Sequence, residues 1–253
     1  VKPRYLAIEG PIGVGKSSLA KLLAEKMGAE YLSDTDAVNP WLEAFYRDPA
    51  ANALHTQLHF LVSRIESLER QQPQAAEGSR RGVRPLIADF MLDKDPLFAE
   101  LVLDEREWRL YTALYERLAV TLPENSVTPD LVIYLQAPVE HLIKRIEQRG
   151  IAWEQRIDSA YLDGLSRLYE KLFHNYSASP LLIVNSESVD FTQDTGAVDR
   201  LLAATRLTRV RASSERSRRP ATTWLFSTGS WKPAAPGLMF CTGCVPRSPA
   251  MSR

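Results

Sequence analysis

At 253 residues, with 45% apolar and 25% charged side chains, the chain has room for one or two domains with a sizeable core. Its 31 basic residues balance 31 acidic ones, so net charge selects no nucleic acid, membrane surface or acidic partner. The two cysteines, Cys241 and Cys244, lie in the last stretch of the sequence, which excludes a disulfide-held fold and thiol chemistry in the body; one Cys-x-x-Cys pair is half a zinc site at most.

The even charge balance hides an asymmetry. Residues 206–253 carry eight Arg and one Lys against a single acid, Glu215, so an acidic body precedes a basic end. No apolar run reaches membrane-spanning length, and Glu9 interrupts the first apolar run too early for a signal peptide. The expected compartment is the cytoplasm, with no membrane and no nucleic acid as partner.

In chain order, continuous apolar runs of strand length fall at Tyr5–Ile8, Ala29–Leu32, Pro85–Ala88, Leu131–Leu135 and Leu181–Val184. Their lack of alternation predicts strands buried on both faces. Helical periodicity lies between them, over Lys16–Met27, Ala51–Gln72, Glu105–Leu122, Val139–Gln148 and Ser159–Tyr176, and Pro73–Arg84 reads as a loop. Strands alternating with helices predict an α/β fold of three layers, a parallel sheet with helices on both faces. Periodicity ends near Thr205. We divide the chain there into a domain, 1–205, and a basic Pro/Ser/Arg-rich tail, 206–253, read as disordered.

Between the first strand and the first helix stands Gly10-Pro11-Ile12-Gly13-Val14-Gly15-Lys16-Ser17, a complete phosphate-binding loop in the strand–loop–helix setting it requires. Glycines let successive backbone N–H groups turn toward one anion, and the helix N-terminus adds partial positive charge. Gly10, Gly13, Val14, Gly15, Lys16, Ser17 and Ser18 are expected to hold ATP, with Lys16 on the terminal phosphates and the Ser17 hydroxyl on Mg²⁺. No Asn-Lys-x-Asp guanine-reading motif is present. Asp89 follows the third strand, where a carboxylate would face the phosphates and hold Mg²⁺ or cap the next segment; Asp34 and Asp36 follow the second, at the edge where ligands bind in open α/β sheets. A kinase acting on a hydroxyl needs such a carboxylate, and on spacing alone neither of these two is distinguishable from a loop acid.

Several segments, in order, resemble the deoxynucleoside kinase family, closest to its bacterial deoxyadenosine/deoxyguanosine kinase branch. They are the stretch Ile8 to Ser17; Asn39-Pro40-Trp41-Leu42 with Phe45-Tyr46-Arg47-Asp48-Pro49; Gln57 to Arg64; Asp89 to Asp95; Arg145 to Gly150 with Glu154; and Asp190-Phe191. The resemblance runs from Arg4 to about Phe191. It implies a P-loop kinase fold with a five-stranded parallel sheet ordered 2-3-1-4-5, and transfer from ATP to the 5′-hydroxyl of a deoxynucleoside, purine preferred.

It also implies roles. Asp34 would be the base, with Asp36 as second choice. Tyr46 and Glu154 would hold the sugar 3′-hydroxyl. Gln57, Arg64 and Asp95 would read the base, with Phe60 stacking on it. Arg145 and Arg149 would clamp the transferring phosphoryl group, Asp89 with Ser17 would hold Mg²⁺, and Asp190 and Phe191 would flank the adenine of ATP. A homodimer formed through helices is implied as well. Phe90 stands where the family carries an Arg and Ile151 where many members carry another, which leaves the lid arginines to balance the phosphate charge. The rival readings are a P-loop kinase of another small molecule, such as a nucleoside monophosphate, and a nucleotide-binding sensor without turnover. A nucleic-acid-binding role for the Arg-rich tail would show as steep salt dependence lost on truncation.

Overall fold

In the computed structural model, the described residues are 4–34, 39–71, 84–122, 128–187, 189–191, 194, 196–203, 205, 223–227 and 230–233. Asp36 and the loop before Arg84 lie outside them, as does most of the basic tail.

The sheet is β2-β3-β1-β4-β5-β6-β7. Its first five strands are β1 (Tyr5–Glu9), β2 (Glu30–Leu32), β3 (Leu86–Ala88), β4 (Leu131–Gln136) and β5 (Leu181–Asn185), all parallel and in the order expected from the sequence. Two strands from the tail extend the far edge. β6 (Thr223–Ser227) runs parallel to β5, and β7 (Ser230–Pro233) returns antiparallel.

The helices are α1 (Lys16–Met27), α2 (Leu42–Arg47), α3 (Pro49–Arg70), α4 (Asp95–Val102), α5 (Glu105–Ala119), α6 (Val139–Arg149) and α7 (Ser159–His174). Residues 196–203 form a further helical segment. Local chemistry sets their ends. Asp48 caps α3, accepting from Ala51 N at 3.3 Å with Pro49 in the first turn, so that helix begins two residues before its apolar periodicity does. Asp104 and Glu107 form a reciprocal capping box at α5. Gly28 and Gly150 end α1 and α6 in the left-handed conformation.

Strand alternation sorts β1 between two cores. Leu6 and Ile8 pack with Leu19 and Leu23 of α1 and Leu142 and Ile146 of α6. Tyr5 and Ala7 point the other way, toward Leu61 and Ile65 of α3 and Leu165, Tyr169 and Phe173 of α7. Glu9, next on that second face, is thereby driven into the interior. It is 0% exposed and accepts from Tyr169 Oη at 2.9 Å, Met91 N at 2.7 Å and Gly10 N at 3.1 Å. The carboxyl ends of the parallel strands β1, β3 and β4 reach the same edge of the sheet, and the loops there build the site.

Candidate active site

The turn out of β1 requires glycine. Gly10 has φ 148°, and a Cβ there would lie 2.4 Å from the Leu135 carbonyl oxygen on β4. Gly13 has φ 82°, and its Cβ would meet Leu142 O and Ile146 Cγ1 of α6 at 2.9 Å. The loop is therefore clamped between β4 and α6. Gly15 occupies the N-cap of α1 with no side-chain cap and no acid in the first turn, so the helix N-terminal donors have no competing protein anion from that turn. Lys16 curls back, its Nζ donating to Gly10 O at 2.7 Å and Pro11 O at 3.1 Å. Burial, and then the nearby Lys94 charge, draw its ammonium down to about 8.

A cavity of about 380 Å³ opens over this loop, lined by Gly13 to Ser18, Arg145, Gln148, Arg149, Val189, Asp190 and Phe191. The predicted loop residues other than Gly10, both lid arginines and Asp190-Phe191 thus meet around one space; Gln148, which sequence reasoning missed, joins them. Arg145 is engaged by backbone carbonyls. It donates to Val14 O at 3.2 Å, Ser186 O at 2.6 Å and Val189 O at 3.4 Å, tying the phosphate loop to the loop after β5. Arg149, one turn on, is half-exposed and pairs with Glu154 at 2.5 Å. Burial pushes the Glu154 carboxyl up, against the pull of Arg149. Tyr46 on α2 stacks on Trp153 with ring centroids 5.4 Å apart, next to that pair. Trp153 is a second residue that sequence reasoning missed.

At the ends of β2 and β3 lies a buried charge cluster. Asp34 receives Arg64 Nε at 2.6 Å and Nη2 at 3.1 Å, and Lys94 Nζ at 2.5 Å. Arg64, from α3, also binds Asp95 at the start of α4 and lies over the Phe60 ring at 4.7 Å. Burial alone would raise the Asp34 carboxyl, but Arg64 and Lys94 outweigh it and hold the group well below the usual carboxylate range. Asp95 goes the other way: burial pushes it up to about 6 in spite of Arg64, and its Oδ2 has no hydrogen-bond partner among the described residues. Gln57, two helical turns before Arg64 on α3, is 4% exposed.

Asp89 accepts from the Asp34 backbone N at 2.6 Å and from Tyr31 Oη at 2.8 Å. Ser17, in the first turn of α1, lies close enough to the same phenol to act on it, so Ser17 and Asp89 are near neighbours beside the phosphate loop. A hydroxyl and a carboxylate, both hard oxygen donors next to a phosphate site, suit Mg²⁺, which binds through one or two such groups plus phosphate oxygens and water.

This arrangement, a glycine-built anion loop at the open edge of a parallel sheet with a carboxylate poised beside it, defines a P-loop phosphotransferase. The family model for "Deoxynucleoside kinase" matches residues 6–208. The chain is 32% identical over 203 residues to the deoxyguanosine kinase of Bacillus subtilis, covering 79% of this chain and 94% of that protein. It is 30% identical over 204 residues to the deoxyadenosine kinase of Lactobacillus acidophilus, covering 79% and 93%. The structure of deoxyadenosine kinase from M. mycoides with bound dCTP superimposes with a TM-score of 0.64 at 25% identity, over 79% of this chain and 99% of that one. The chain belongs to the deoxynucleoside kinase family.

Proposed function

We propose that the enzyme transfers the γ-phosphoryl group of ATP to the 5′-hydroxyl of a purine deoxynucleoside. The observation that carries this reading is the Asp34 carboxylate, held ionised by Arg64 and Lys94 at the open edge of the sheet, beside the phosphate loop. An alcohol is acidified only as the bond to phosphorus forms, so an already ionised carboxylate orients it first and takes its proton late. Gly10 to Ser18 would cradle the phosphates, with Asp190 and Phe191 toward the adenine. Ser17 and Asp89 would hold Mg²⁺, which would supply positive charge to the phosphates. Arg149 is placed to meet the transferring group; Arg145 would join it by releasing its carbonyl partners.

The acceptor reading rests on the other half of the site. Arg64 and Lys94 are already matched by carboxylates, which suits a neutral nucleoside better than a nucleoside monophosphate. Tyr46 and Glu154 would bind the sugar 3′-hydroxyl. Gln57 offers a buried amide of the kind that reads an adenine edge bidentately, Asp95 an oxygen without a partner among the described residues, and Phe60 a stacking face. The Bacillus subtilis and Lactobacillus acidophilus relatives are named for purine deoxynucleosides, which supports the same choice. The test is the specificity ratio: with Mg-ATP, deoxyadenosine or deoxyguanosine should exceed both pyrimidine deoxynucleosides in kcat/KM. A pyrimidine in first place would overturn the purine assignment.

The state of Lys16 yields a separate expectation. Burial and the Lys94 charge draw its ammonium down to about 8, and a bound polyphosphate would restore the charge. At pH 8.5, ATP binding should therefore take up on the order of half a proton or more, and at pH 7 far less. Calorimetry in two buffers of different ionisation heat reads this directly. Equal apparent enthalpies at pH 8.5 would contradict it.

We further propose that the kinase domain ends near Thr205 and that 206–253 is an appendage to it, in keeping with the family match ending at residue 208. A cytoplasmic homodimer joined through helices is proposed with it; Val62 on α3 and Leu110 on α5 are exposed apolar residues of the kind such a contact covers. No helix among the described residues is long and apolar enough to cross a membrane.

A further inference from the structure

Lys94 closes a one-turn 3₁₀ helix, Leu92–Lys94, between β3 and α4, and it is 1% exposed. Its ammonium lies 2.5 Å from Asp34 Oδ2, 3.9 Å from Glu9 Oε1 and 5.8 Å from the Phe90 ring centroid. Removing an ammonium from water costs several kcal/mol even in a relaxed protein. Such a group persists where something needs its charge. Asp34 and Glu9 use part of it, through the ion pair with Asp34 and the longer approach to Glu9, although each has other donors. Glu9 already accepts from Gly10 N, Met91 N and Tyr169 Oη, and Asp34 already has the two-pronged Arg64.

The placement is the informative part. Lys94 reaches Asp34 directly, and beyond the effect of burial its charge is near enough to Lys16 of the phosphate loop to lower that ammonium further. A hydroxyl hydrogen-bonded to Asp34 would sit within one further hydrogen bond of the Lys94 amine. The acceptor oxygen and the phosphorus it attacks would then lie between two lysines, Lys16 on the donor side and Lys94 on the acceptor side. Arg145 is bound to Val14, Ser186 and Val189, and Arg149 to Glu154, so Lys94 is the cation in direct contact with both Asp34 and the Phe90 face.

We propose that Lys94 is a catalytic residue, its ammonium binding the equatorial oxygens of the phosphoryl group as it reaches the acceptor. This rests on the phosphotransfer reading above. In the step, the bond from the 5′-oxygen to γ-phosphorus forms and the bond from γ-phosphorus to the β,γ-bridging oxygen breaks. The electron pair of the broken bond stays on ADP, and the hydroxyl proton passes to the Asp34 carboxylate. Lys94 acts as a fixed positive charge, in the manner of other pre-placed donors that stabilise developing charge. Phe90 backs the amine with an aromatic face and keeps water from that side.

The experiment compares the full-length wild type with Lys94→Met and Lys94→Arg in steady-state phosphotransfer, with ADP binding measured on each. The expected result for Lys94→Met is a fall in kcat of about 10²-fold, the usual effect of removing one transition-state donor, with both KM values and the ADP dissociation constant within about threefold of wild type. Lys94→Arg should retain a tenth or more of kcat. A Lys94→Met enzyme with kcat within about threefold, or with raised KM at unchanged kcat, would overturn the proposal and leave phosphotransfer intact. If Lys94→Met fails to fold, the decisive reading is the rate ratio of ATP to its γ-thio analogue in wild type and Lys94→Arg. A group touching the moving phosphoryl should shift that ratio several-fold on substitution; an unchanged ratio means it does not touch it. No transfer by the wild type itself would overturn both the proposal and the function on which it rests.

Discussion

Asp34→Asn is expected to lower kcat by about 10³-fold, within the range for loss of a positioned proton acceptor, with ATP affinity nearly unchanged. The amide keeps the shape of the side chain and its place at the end of β2 but cannot take the hydroxyl proton. It also leaves Lys94 and one edge of Arg64 facing a neutral group, although Glu9 and Asp95 still balance them. Because Arg64 and Lys94 hold Asp34 ionised far below its usual range, the wild-type rate should not fall through Asp34 protonation at any pH near or above 5. Steady-state kinetics from pH 5 upward, with calorimetric ATP binding on both proteins, check both statements. A variant with near wild-type kcat would remove Asp34 from the chemistry.

Arg64→Met should produce the largest loss of stability of any single change in the site. Arg64 is buried and joins two buried carboxylates, Asp34 and Asp95. Breaking such a pair by deleting one partner costs about 3–5 kcal/mol, because an uncompensated buried charge remains. For a domain of this size that is on the order of 10 °C in Tm. The loss should shrink as pH falls, and the sign follows from the two acids. Asp95 already has a raised affinity for its proton, near 6 with Arg64 present, so its burial is fully tolerated below the unfolded value near 4 and penalised as pH rises through 6. Without Arg64 that penalty grows. Asp34 is depressed instead, and the stability it contributes is present above the unfolded value and lost only in strong acid. Thermal melts of both proteins at pH 5 and pH 7.5 measure the difference. An equal gap at the two pH values would show that Asp95 is not the group left exposed to the penalty.

The parts of this molecule that were legible in the sequence are those where one physical signal dominates. Strands buried on both faces are continuous apolar runs, so β1 to β5 stand out from the pattern of side chains alone, and the family resemblance supplies their order. Glycine positions in the phosphate loop are dictated by backbone shape, as the 2.4 Å approach of a Gly10 Cβ to Leu135 O makes plain. Short elements were not legible. α4 is eight residues with Pro96 in its first turn, too brief to display a period, and α2 is six. The strands β6 and β7 follow a stretch without periodicity and carry no long apolar run.

The charge cluster shows a different limit. Lys94 lies between Asp93 and Asp95, and such a triplet reads as a solvated loop until its burial is seen. For Glu9 a signal did exist: it continues the inward face of Tyr5 and Ala7 on β1, and strict alternation places it inside. Trp153 had no signal beyond its type, because its partner Tyr46 is far away in sequence. Asp36, the second choice for the base, lies outside the described residues.

The most direct test of the central claim follows the label of γ-³²P-ATP in a single turnover with deoxyadenosine or deoxyguanosine and Mg²⁺. The expected result is a labelled nucleoside monophosphate that a 5′-specific nucleotidase strips completely, formed by the wild type and absent within the same interval for Asp34→Asn. Binding of ATP with no labelled nucleotide from any of the four deoxynucleosides would contradict the claim and leave a nucleotide-binding protein without this reaction.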